Sequence, residues 1–455
     1  MFLPPATLKA ILKDIIANRR SQGHVVDGLH EELRGLPDSF DALDAFAHRL
    51  AALPLREDWP YREPEEWEEI LNACDPARPI APLASLTSEE ASARIEAAFL
   101  ASVCGCILGK PLELDPSLAQ LREALEPRGE WPLRDYISQD LRVRGKWKPE
   151  AEATLHEDAW HTCRENIRYV APDDDINYTI LGMLTLEAHG ADFSWGDIRR
   201  LWRRHVSLSL VYGPERTIFA RCALDYLEHG LPHHVEQDQR EWVRLWNSHD
   251  ELCGAQIRAD AYGYACPGHP ALAAQLAWRD AAFTHRKTGV YATMFTAAAI
   301  ATAFVERDPL QVFATALQFV PQQSRFHRIV SDSLHEVSQA TDWLDGYHRI
   351  HGKYKEYSHC QIYQETGTLI NTLRFAEDIG DGICKQVSQG NDTDSFGATA
   401  GSILGAYFGP GHLDARWLEP FQDEIRTGLN FFYERSLSTL ARRMGELPAR
   451  LSGRA

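Results

Sequence analysis

The chain predicts an all-α protein on three observations. Apolar residues recur at helical spacing through most of its 455 residues, strand-like alternation is scarce, and Gly/Pro-rich breaks such as GYACPGHP and YFGPGH punctuate helices instead of linking domains. The start, MFLPPATLKAILKDIIANRR, has no basic leader, and Lys9, Lys13 and Asp14 interrupt its apolar residues. Residues 5–19 therefore read as an amphipathic helix and not as a secretion signal. Helical patterns follow at 38–52 and 64–73.

The segment PARPIAPLASLTSEE then gives way to a capping signal, Ser85 or Thr87-Ser88 with Glu89-Glu90 behind it. This places a boundary between a helical N-terminal extension, 1–86, and a larger domain, 87–445. The extension is rich in Leu, Glu, Asp and Trp and reads as a lid, an oligomer contact or a partner-binding appendage. Beyond it an apolar, small-residue helix covers 88–108 and stops at Gly109-Lys110-Pro111. Further helices are expected at 176–189, 214–228, 270–284, 289–306, 325–344, 366–378 and 396–408, with a broken stretch over 415–444. The longest apolar run, 290–305, is shorter than the roughly twenty residues that span a bilayer, so it reads as a buried core helix.

Composition narrows the partners. A formal net charge of −18, without runs of Lys/Arg interleaved with aromatics, argues against nucleic acid. Nine cysteines, an odd number without paired motif spacing, point to reduced thiols in a cytoplasmic protein. Cys104 and Cys106 suit packing in a small-residue helix, and His233-His234 lacks a zinc-binding context. No membrane or targeting segment is evident, and the oligomeric state is not legible.

Two acidic clusters carry the chemistry. In Gly390-Asn391-Asp392-Thr393-Asp394-Ser395, three oxygen ligands stand within four residues where a loop runs into the small-residue helix FGATAGSILGAYFG. An oxygen-only set suits Mg²⁺ or Ca²⁺ before zinc. A calcium loop counted from Asp392 would place ligands at Phe396 and Ile403, so that chemistry fits poorly. The alternative is a plain helix cap, since Asp and Ser satisfy free N–H groups at a helix start. The second cluster, Asp173-Asp174-Asp175, opens the helix that begins INYTILGMLTLEAHG. Three adjacent carboxylates repel one another unless solvated, capped or neutralised by a cation. Two such clusters more than two hundred residues apart fit a shared metal site. Glu113, just past the Gly109 stop, is the lone acid of a third element.

Together the three elements resemble the ADP-ribosylglycohydrolase family. Gly105, Gly109 and Glu113 match a GDxxGxxxE-like signature, with Cys106 in the Asp place. Asp173-Asp174-Asp175-Ile176 matches a TDDT-like segment, and Gly390 to Ser395 a GxDTDT-like one. The resemblance implies a compact, orthogonal multi-helix domain with two Mg²⁺ ions, Mn²⁺ being possible, held by Asp173, Asp174, Asp175, Asp392, Asp394 and Ser395. It implies catalytic roles for Glu113, Asp174 and Asp392, with Glu113 on a mobile segment touching metal and substrate.

Two more stretches, CGAQIRADAYGYACPGHP and DAAFTHRKTGVYATMFTAAAIATAF, imply substrate contacts at Gly254, Arg258, His285, Gly289 and Tyr291. Gly254-Ala255-Gln256-Ile257-Arg258 departs from the family's Asn-Gly pattern, although backbone N–H groups near Gly254 and the Arg258 cation could still hold a diphosphate. His285 could equally be a structural cap. Trp131, Tyr136 and Tyr291 could line a nucleobase pocket or pack in the core. The implied activity is cleavage of the glycosidic bond of an ADP-ribosylated protein side chain or small molecule, releasing ADP-ribose. The alternatives are hydrolysis of another ribosyl or glycosyl conjugate, and a non-catalytic ADP-ribose-binding relative.

Overall fold

The computed structural model describes residues 3–146, 152–229, 235–355, 357 and 360–452; His233-His234 lie outside them. Among the described residues the secondary structure is helical, with isolated β-bridges such as Ser117 to Gly390 and no strand. Most expected helices appear within a few residues of their expected ends, among them Pro5–Ser21, Phe40–Ala51, Trp67–Ala73, Ser88–Gly109, Asp174–His189, Lys287–Ala303 and Thr393–Phe408.

The expected 325–344 helix is two helices, Arg325–Gln339 and Trp343–Tyr354. The break has a local cause: the Asp342 carboxylate accepts from the backbone N–H of Leu344 and Asp345, both at 2.9 Å, and so starts a new helix. In 415–444 only Leu437–Gly445 is α-helical, preceded by two short 3₁₀ turns. Helices not anticipated include Leu118–Leu125, Trp195–His205, Pro309–Leu317 and Ile379–Ser388. Ser117 with Gln120 and Ser194 with Asp197 form reciprocal capping boxes at the first two.

Two helices set the frame of the core. Ser88–Gly109 lies against Thr393–Phe408 with backbone on backbone. A Cβ at Gly105 would stand 2.0 Å from the Gly397 carbonyl oxygen, and one at Gly109 only 2.1 Å from that of Thr393. Only residues without a Cβ permit that approach. Every residue of the Lys287–Ala303 helix is buried beside them. By length and composition the Ser88–Leu112 stretch could cross a membrane, but 72% of its apolar window is buried inside the fold, as in a core helix.

The first 86 residues carry their own apolar cluster, including Leu12, Ile16, Leu43, Phe46 and Leu50, which also takes in Leu245. Buried and half-buried ion pairs join this region to the rest of the chain: Arg325 to Glu63 at 2.8 Å, Arg286 to Glu65 at 2.5 Å and Arg19 to Asp250 at 3.4 Å.

Candidate active site

The turn before Thr393–Phe408 is built to present its acids inward. Gly390 and Asn391 sit at φ +83° and +61°, and Asn391 donates its N–H to the Pro116 carbonyl at 2.7 Å. Thr393 Oγ1 donates to the Gly109 carbonyl at 2.8 Å, tying the turn to the end of Ser88–Gly109. The Asp392 backbone N–H donates to buried Glu365 at 2.9 Å. Asp392 does not cap the helix with its side chain; Oδ2 instead faces the Cys253 and Cys360 thiols, each at 3.4 Å.

At Asp174–His189 the capping alternative holds in part. Asp173 Oδ1 accepts from the Asp175 N–H at 3.1 Å, while Asp173 Oδ2 pairs with Lys110 Nζ at 2.9 Å. Ser395 Oγ donates to Asp175 Oδ2 at 3.3 Å, joining the two clusters. Asp175 Oδ1 is buried with no hydrogen-bond donor. Cys106, in the last turn of Ser88–Gly109, has its sulfur within 4.8 Å of oxygens of Asp173 and Asp175, and Glu113, Asp392 and Asp394 bring oxygens equally close together.

Lys110 lies in the middle. Its ammonium reaches Glu113 Oε2 at 2.7 Å, Asp173 Oδ2 at 2.9 Å and Asp394 Oδ2 at 3.0 Å. Despite burial, this cation holds Asp394 below the usual carboxylate range. The other acids move the opposite way. Burial, then the Asp394 charge, pushes Glu113 up to about 10; burial, then Asp173, pushes Asp174 up to about 8. Asp175 and Asp392 are driven well up for the same reasons. One lysine thus faces six carboxylates. The donors are chiefly oxygens, and a buried carboxylate oxygen without a donor is present, so the residues fit a hard divalent cation.

The acids open onto a cleft of about 420 Å³, lined among others by Glu113, Asp174, Asp392, Ser395 and Gly254. His156 Nε2 stands 3.6 Å from Glu113 Oε2 on its wall; burial, then Lys110, lowers its pKa and favours the neutral ring. Tyr212, more than half exposed, also lines it. The wall around Cys360 is held in an unusual backbone shape: Cys360 and Ile362 lie at φ +63° and +70°, the second costly for a β-branched residue, with the Ile362 N–H donating to Glu365 at 3.3 Å. No residue of 1–86 is among the described lining residues, so nothing there supports a lid.

Four residues read from the sequence as substrate contacts do not line this cleft. Arg258 is fully engaged: its guanidinium pairs with Glu215, with Asp280 at 2.5 Å and with Thr284 Oγ1 at 2.8 Å. His285 is buried beside Glu215, with Nδ1 2.7 Å from Thr284 Oγ1, and burial followed by the Arg258 charge keeps it neutral. Gly289 packs on the His285 ring, where a Cβ would come within 2.9 Å. Tyr291 donates its hydroxyl to the Pro64 carbonyl, fastening the N-terminal region. Gly254 alone of the five reaches the cleft, where a Cβ would meet Glu215 at 2.6 Å. Trp131 packs on Trp343, and buried Tyr136 donates to the Trp417 carbonyl at 2.8 Å; neither lines the cleft.

Lys110, His156, Glu215, Cys360 and Glu365 went unread as site residues. Lys110 had been legible only as part of a helix stop, and the others are single residues without a motif.

The sequence profile of the ADP-ribosylglycohydrolase family matches residues 87–450. No curated protein matches the chain. Among solved structures 44 chains match. One, an ADP-ribosylglycohydrolase-related protein complex, is 18% identical, with 80% of this chain and 99% of that chain covered and a TM-score of 0.49. The profile match spans most of the chain and takes in Glu113 and both acidic clusters: the chain belongs to the ADP-ribosylglycohydrolase family, hydrolases that act on glycosidic bonds.

Proposed function

We propose that this protein is a Mg²⁺-dependent hydrolase, with Mn²⁺ as a substitute, that cleaves the glycosidic bond of an ADP-ribosylated side chain or small molecule and releases ADP-ribose. The observation that carries the reading is the surplus of buried carboxylates, drawn from three chain segments, on the floor of one cleft. Asp173, Asp174, Asp175, Asp392, Asp394 and Ser395 would hold the cation. When bound it lowers the pKa of water and polarises a substrate oxygen.

The chain's own groups supply the rest. Burial and the Asp394 charge favour the acid form of Glu113, which suits this residue to act as general acid at the leaving-group oxygen. Carboxylates near the sugar ring stabilise the oxocarbenium-like transition state. Asp174 and Asp392, which line the cleft and which a bound cation would draw into their charged forms, are the acids best placed for this role. Tyr212 offers an aromatic face at the wall for a nucleobase.

A second reading, cleavage of a different ribosyl or glycosyl conjugate, is favoured by one observation. Arg258, the cation available in the sequence for a diphosphate, is paired with Glu215 and Asp280 and does not line the cleft, and Lys110 is the one Lys or Arg among the described lining residues. A substrate panel separates the two. Release of ADP-ribose from ADP-ribosylated acceptors, with simple nucleosides and glycosides untouched, supports the first; the reverse pattern assigns the second.

A further inference from the structure

The Lys110 ammonium sits where a metal ion would be expected. It donates hydrogen bonds to Glu113 Oε2 at 2.7 Å and Asp394 Oδ2 at 3.0 Å and stands in ion-pair contact with Asp173 Oδ2 at 2.9 Å, so that one carboxylate comes from each of the three segments that build the centre. Its side chain is 13% exposed. Its backbone has little room to withdraw: Gly109 lies against the Thr393 carbonyl, and Lys110–Leu112 is a single 3₁₀ turn containing Pro111. The Pro111 carbonyl accepts from the His156 N–H at 3.0 Å, which fixes the far side of the turn.

We infer that Lys110 is a built-in cation filling one of two cation positions, so that the centre takes up a single divalent ion; this rests on the cation-dependent reading above. A divalent ion binds oxygen at about 2.0–2.1 Å, so one placed between Glu113, Asp173 and Asp394 would collide with the ammonium and be repelled by it. Asp173, one of the six groups named above, is then taken up by the lysine and by its own helix cap, and the oxygens outside the lysine's reach serve the single ion. Asp175 Oδ1 is buried without a donor, Asp174 and Ser395 line the cleft, and Asp392 stands beside them. That set is sufficient for Mg²⁺, which retains several waters and needs only one or two carboxylates. Lys110 is then a positioning residue as well, holding Glu113 at the edge of the centre.

The test is to load the full chain with Mn²⁺, measure the ions retained per chain after dialysis, and record the Mn²⁺ paramagnetic resonance spectrum. The wild type is expected to hold one ion with the spectrum of an isolated centre. Lys110→Met is expected to hold two, with the exchange-coupled spectrum of ions about 3.5–4 Å apart. Lys110→Arg, which keeps the charge, is expected to hold one. Two coupled ions in the wild type would overturn the inference while leaving the cation-dependent reading intact. A single ion in a folded Lys110→Met protein would overturn it too. No ion in any of the three would overturn both. If Lys110→Met does not fold, the wild-type count and spectrum decide the matter alone.

Discussion

Two buried charge networks in this molecule have opposite balances. Where the N-terminal region meets the rest of the chain, Glu63, Glu65, Glu66, Asp250 and Glu251 face Arg19, Arg240, Arg244, Arg286, Arg325 and Lys287, so carboxylates and cations are nearly equal in number. There Glu65, pushed up by burial, is drawn down to about 2 by Arg286, and Asp250 is lowered by Arg19 in the same way. At the cleft, six carboxylates face Lys110 alone, and Glu113 rises to about 10. A balanced network is complete as structure. An unbalanced one calls for a further cation, which is what separates a candidate active site from a buried clamp of similar composition.

The comparison is tested most severely at Glu113. Glu113→Gln is expected to lower kcat by about 10²–10⁴-fold while Mg²⁺ uptake persists, because the amide cannot deliver a proton. Retained turnover would remove Glu113 from the chemistry. Across the molecule, Arg325→Ala leaves Glu63 and Glu251 buried without their guanidinium. It is expected to cost about 3–5 kcal/mol in denaturant unfolding and to leave Mg²⁺ affinity unchanged, since the clamp contributes nothing to the cleft.

The smallest effect is a pair of opposite pH dependences. Glu65 has a folded pKa below its ordinary value, so its contribution to stability is present above about 4.5 and is lost as pH falls towards about 2. Asp260 is the reverse case. It lies between Ser402 Oγ at 2.6 Å and Ser102 Oγ at 3.3 Å in the core, and burial raises it to about 7. Its contribution is full below about 4 and is lost as pH rises through about 7. Melting midpoints from pH 4 to 8 are expected to decline less in Asp260→Asn than in the wild type. An unchanged decline would show that Asp260 does not carry the proton.

Much of this was legible in the sequence because it is local. Apolar periodicity gave the long helices, and runs of acid at helix starts marked both clusters. The four short helices were signalled by Ser117, Ser194, Asp308 and Asp378 caps, but their apolar patterns were too brief to stand out. Pairing between distant segments was not legible. Arg258 and His285 look like ligand contacts until Glu215 and Asp280 are seen beside them, and nothing near Lys110 in sequence reveals that Asp173 and Asp394 converge on its ammonium.

If the surplus of carboxylates at the cleft binds a divalent cation, that cation stabilises the folded chain. Thermal unfolding with and without Mg²⁺, for the wild type, Arg325→Ala and Asp392→Asn/Asp394→Asn, tests it most directly. A concentration-dependent rise in midpoint is expected for the wild type and for Arg325→Ala, and none for the double variant. An equal rise in all three, or none in the wild type, would contradict cation binding at the cleft.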